Sequence, residues 1–158
     1  MHFEKFPPQT PRWLVWDIFY LGGALGAAII AESLAALYGL SAFFNPVFFP
    51  GSGFPITVNE ATALGIIGAI TAAAGAGLIM TALGMNNLSK SAIAWSRFAF
   101  LATLLSACVI TANHFSIGNN VYSFSKDWVV VAWLSFVLGG ILPYALLSTS
   151  AARKLHTR

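Results

Sequence analysis

Apolar residues run almost unbroken through four stretches of this chain, approximately 13–38, 58–84, 92–113 and 127–149, and the polar residues gather between them. Formal charges are absent between Glu32 and Glu60, Glu60 and Lys90, Arg97 and Lys126, and Asp127 and Arg153. Each gap exceeds the about 20 residues that a helix needs to cross a hydrocarbon core of about 30 Å. The alternating segments of about ten residues that mark membrane strands are missing, which disfavours a β-barrel. The pattern predicts an all-α integral membrane protein, a four-transmembrane-helix bundle forming a single membrane domain over residues 1–158.

Helix starts are legible. Thr10 before Pro11 suits an N-cap followed by a first helical residue, and Thr57-Val58-Asn59-Glu60 has the spacing of a capping box. Ser125 ahead of Asp127 places a cap and a negative charge at a positive helix end. Glu60 is thereby read as a cap and not as a proton carrier. Residues 39–57 are expected to form an external loop, aromatic and broken by Pro46, Pro50 and Pro55. Its rings, with Trp13, Trp16, Tyr38, Trp95, Tyr122 and Trp128, suit the interfacial layer of a bilayer.

Composition removes whole classes of function. Of 158 residues 58% are hydrophobic and 8% charged, with a mean hydropathy of +0.77, far from a water-soluble domain. Of the 8 Lys and Arg, Lys126 alone falls on one side of the expected membrane; the rest flank the opposite ends of the spans. Basic residues are retained inside, so a multi-pass protein of the cell membrane with both termini cytoplasmic is expected. The net charge of +3 reflects that asymmetry and gives no reason to expect nucleic-acid binding. The first stretch outruns the roughly 7–15 apolar residues of a signal peptide and is kept as a helix. A single cysteine, Cys108, excludes internal disulfide and dithiol chemistry.

Small residues predict where helices touch. Gly65, Ala69, Ala73 and Gly77 recur every four residues in the second stretch, and Gly22 and Gly26 have GxxxG spacing in the first. Such positions let backbones approach closely in lipid, where hydrophobicity drives no helix pairing. Ala99, Thr103, Ala107 and Thr111 give the third stretch a comparable stripe. Pro143, following Gly139 and Gly140, predicts a kink in the fourth. Phe19-Tyr-Leu-Gly-Gly-Ala-Leu25 is echoed by Phe136-Val-Leu-Gly-Gly-Ile-Leu142.

Glu32 is the candidate functional carboxylate, because it falls well inside a span, where an ionised side chain costs at least about 2.5 kcal/mol. It is read as a structural acid, an intersubunit partner or a proton- or quinone-contact residue. Asp17 and His114 are weaker candidates: Asp17 is expected to pair with Arg12 at the interface, and His114, with Asn113, Asn119 and Asn120 nearby, to be a solvated residue at a helix end. No set of His, Cys or carboxylates has the spacing of a metal site, and His114 has no second histidine at its depth to bind haem. Nucleotide-binding loops and Ser/His/Asp constellations are absent too, so a stand-alone enzyme is not expected.

Trp13 to Leu37, with Phe19-Tyr-Leu-Gly-Gly-Ala-Leu-Gly26, resembles the first helix of polysulfide-reductase-type membrane anchors, which exchange electrons with quinones. The resemblance implies an accessory or anchor subunit of a respiratory or other redox complex, touching quinone at a subunit interface and holding no complete cofactor site of its own. Its partners would be other membrane-protein subunits and the lipid bilayer. Gly22 to Gly26 with Val58-Asn59 also resembles small four-helix fluoride channels, whose third-helix motif has no counterpart between Phe98 and Asn113. The alternative is therefore a small homo-oligomeric channel or transporter using Glu32, Thr103 and Thr111; a lipid-modifying enzyme using His114 ranks last.

Overall fold

A computed structural model describes residues 9–44, 56–117 and 123–156, and every regular element among them is helical. The order is α1 (Arg12–Phe44), α2 (Val58–Asn86), α3 (Ser91–Ile117), α4 (Lys126–Ser135), a π-helical turn (Phe136–Ile141), α5 (Leu142–Ser148) and α6 (Ser150–Leu155). Counting the run from Lys126 to Ser148 as one, 4 helices are long and apolar enough to cross a membrane. They pack into one bundle with both described chain ends at the same end. There Leu14 and Ile18 join Met85, Ala92, Leu147 and Ala152 in one apolar cluster. At the opposite end Ala42, Leu64, Ile110, Phe124 and Ala132 form another.

The first helix does not stop at Tyr38. It continues through Gly39 to Phe44, so the expected loop begins later; residues 45–55 lie outside the described residues. Gly39 reads as a breaker in sequence but serves here as a crossing point. A Cβ on it would collide with the Leu64 carbonyl and stand 2.7 Å from the Gly68 amide nitrogen. Two backbones in near contact leave room for hydrogen alone at that site.

Helix α2 starts as expected. Thr57 Oγ1 accepts from the Glu60 amide at 3.3 Å, and Glu60 Oε2 accepts from the Thr57 amide at 2.9 Å and from its hydroxyl at 2.7 Å, closing the capping box. At its other end the Leu88 amide bonds Met85 O at 3.2 Å and the Ser89 amide bonds Gly84 O at 2.9 Å, the paired bonds of a Schellman motif. Leu88 holds the left-handed position, at φ 52°, that glycine fills at lowest cost. Ser125 caps α4 by position, without a side-chain bond.

The kink expected at Pro143 takes the form of a π-helical turn just ahead of it. The Leu142 amide reaches back five residues to Val137 O, widening the turn by one residue before the proline. Gly139 and Gly140 occupy this turn and set its distance from three neighbours. A Cβ on Gly139 would stand 2.6 Å from Leu78 Cδ2 and 2.8 Å from Ala28 Cβ, and one on Gly140 would stand 2.5 Å from Thr103 Oγ1.

Candidate functional site

Between the two apolar clusters lies a polar layer centred on Glu32, which is 2% exposed. From the span of α1, its Cα sits about 6 Å along the axis from the helix midpoint. Ser106 of α3 donates to Oε2 at 2.7 Å, and Ser135, the last residue of α4, donates to Oε1 at 2.8 Å. From α2, Gly75 faces the same side chain: a Cβ there would stand 3.7 Å from Glu32 Cβ. Four helices therefore meet around one carboxyl. Both serines are buried as completely as the glutamate.

Hydroxyls can donate and accept, so this arrangement suits either protonation state of the side chain. A carboxylate accepts from both serines; a neutral acid donates to one and accepts from the other. A crevice bounded by Ala31, Ala35, Trp128, Val131 and Ala132 approaches Glu32 between α1 and α4, but has no room for a water molecule. As arranged, the carboxyl has a hydroxyl partner on each oxygen, and the adjoining crevice offers no space for water.

Ser106 and Ser135 were not foreseen as partners. The hydroxyls singled out in the third span do other work: Thr103 donates to Ala99 O at 2.7 Å, and Thr111 donates to Ala107 O at 2.7 Å while accepting from Trp133 Nε1 at 3.1 Å. A hydroxyl in an apolar helix usually bonds its own preceding turn, so sequence alone does not tell which one reaches across.

His114 is half-buried in the last turn of α3 and one of its ring nitrogens is engaged. Its Nδ1 donates to Phe124 O at 2.8 Å, while Asn113 Oδ1 accepts from the Phe124 amide at 2.9 Å. Two adjacent side chains at the end of α3 thus grip both backbone groups of one residue. Phe124 is thereby fixed as a plug, its ring 4.9 Å from that of Tyr38 and 5.9 Å from that of Trp128. Asn119, Asn120 and Tyr122 lie outside the described residues.

Asp17 forms no ion pair with Arg12, and no ion pair or hydrogen bond of Asp17 occurs among the described residues. Five residues turn a helix by about 500°, which leaves the two side chains about 140° apart. Neither do any three His, Cys, Asp or Glu converge among the described residues.

The small residues divide sharply. Gly65 meets Phe43 of α1, and Gly77 meets Phe98 and Ala99 of α3. Ala69 and Ala73, expected to pack beside them, face outward. A four-residue step turns about 400°, so such a column drifts about 40° per step and cannot stay on one neighbour. Gly22 and Gly26 depart further from expectation. Nothing lies within 4 Å of a Cβ built on either, or on Gly23. Among the described residues no neighbouring helix comes within 4 Å of a Cβ on this GxxxG face.

No protein-family model, curated protein or solved structure matches this chain.

Proposed function

We propose that this chain is an accessory or anchor subunit of a multisubunit membrane complex, lying in the cell membrane with both termini cytoplasmic. The observation that carries the reading is a contrast between two like motifs. Leu138-Gly139-Gly140 is filled by Ala28, Leu78 and Thr103, whereas Leu21-Gly22-Gly23 has bare glycines facing out of the bundle. Glycine destabilises a helix interior by about 1 kcal/mol relative to alanine. In lipid, close backbone approach by another helix is the compensation that such a face offers. The likeness of Phe19 to Gly26 to quinone-linked anchors supports a respiratory or other redox complex, with quinone contact arising at a subunit interface.

Mild-detergent extraction followed by native mass determination tests this. The expected result is one or more co-purifying integral membrane proteins; a monomer or simple homodimer overturns the proposal.

One observation favours a second reading, a small proton-coupled transporter or channel. Glu32 is a central carboxyl whose two serine partners can serve either protonation state. Proteoliposomes bearing the purified chain would then show proton or ion flux that Glu32→Gln abolishes. Absence of flux, or a Glu32→Gln variant that behaves as wild type, removes it.

A further inference from the structure

At the end of the bundle that carries both described chain ends, α1 and α5 border a crevice of ≈ 470 Å³. Its α1 wall presents Trp13, Asp17 and Tyr20, spaced i, i+4 and i+7 and therefore on one helix face. Leu21 and Leu146 form its apolar floor, and Thr149 closes one side. Thr149 is already engaged: its hydroxyl donates to Leu146 O at 2.8 Å and accepts from the Ala152 amide at 3.2 Å. Asp17 is the charged group of the crevice and is uncompensated among the described residues.

Depth matters as much as composition. At about 1.5 Å per residue α1 is about 50 Å long and overshoots a core of about 30 Å by about 10 Å at each end. Asp17 lies about 8 Å from the helix start, at the boundary between head groups and acyl chains. A carboxylate at that depth stands among the charged head groups, where a cationic group can pair with it. A lipid head group supplies one at that depth.

We propose that this crevice binds a phospholipid whose head group ends in a primary ammonium, phosphatidylethanolamine by class. The ammonium donates to the Asp17 carboxylate, a charge-assisted bond. The Trp13 indole N–H and the Tyr20 hydroxyl offer donors to the lipid phosphate, and an acyl chain lies along Leu21 and Leu146. A quaternary choline head group carries no N–H to give Asp17. A phosphatidylglycerol head group brings a net negative charge toward a carboxylate.

The test is native mass spectrometry of the delipidated full-length protein, titrated with phosphatidylethanolamine, phosphatidylcholine and phosphatidylglycerol of matched acyl chains. The wild type is expected to bind the ethanolamine lipid about tenfold more tightly than the other two. Asp17→Asn is expected to abolish that preference and Asp127→Asn, in the first turn of α4, to retain it. Asp17 is exposed and makes no bond among the described residues, so its variant should melt with the wild type. Equal binding of ethanolamine and choline lipids, preference for phosphatidylglycerol, or an unchanged preference in Asp17→Asn overturns the proposal.

Discussion

Glu32 draws its importance from what it holds together. Glu32→Gln preserves one acceptor and one donor pair toward Ser106 and Ser135, so the expected loss of stability is below about 1 kcal/mol, in line with interhelical hydrogen bonds in lipid. Glu32→Ala removes both bonds and opens a cavity where four helices meet, and about 2–4 kcal/mol is expected. Denaturant titration in detergent measures both; equal losses for the two variants would contradict a hydrogen-bonding role. At the far end, Asn113→Ala strands the buried Phe124 amide and should cost about 1–3 kcal/mol, more than His114→Ala. The reverse order would place the latch on the histidine. In the sequence Glu32 stood out as the one deep charge, while its serines did not. Thr71, Thr81 and Ser96 all bond carbonyls of their own helices, and Ser106 and Ser135 look no different on paper.

At the scale of elements, the four apolar runs were visible because charge is so scarce, and the Thr57–Glu60 box because its chemistry is local. What stayed hidden depended on neighbours. Gly39 and Gly22 are indistinguishable by type, yet one lies against the α2 backbone and the other has no neighbour within 4 Å of its Cβ position among the described residues. The two Leu-Gly-Gly motifs make this measurable. Gly139→Ala and Gly140→Ala each force a Cβ into a neighbouring side chain and should lose about 1–3 kcal/mol. Gly22→Ala and Gly23→Ala meet open space and should gain about 0.5–1 kcal/mol in the isolated chain from helix propensity. Thermal unfolding of the four purified variants checks the pair, and a loss at Gly22 matching that at Gly139 would refute the packing described above.

On the scale of the whole molecule, two apolar clusters at opposite ends of the bundle bracket the Glu32 layer, and each is built from residues far apart in sequence. That division could not be read from periodicity, because a helix surrounded by lipid and helices is apolar on every face and its pattern marks no buried side. Charge asymmetry still speaks for orientation. Labelling of single introduced cysteines in a Cys108→Ala background should find both termini and the α2–α3 turn at Lys90 on the cytoplasmic side, with the Lys126 end outside. Lys126 accessible from the cytoplasm would reverse the proposed topology.

The most direct test of a subunit role is the double variant Gly22→Leu, Gly26→Leu, assayed for both folding and partnership. A Cβ at either position meets nothing within 4 Å among the described residues, so the isolated chain should melt near the wild-type temperature while the co-purifying membrane partner is lost. A variant that keeps its full complement of partners, or a wild type that never carries one, would contradict the reading of this face as a docking surface.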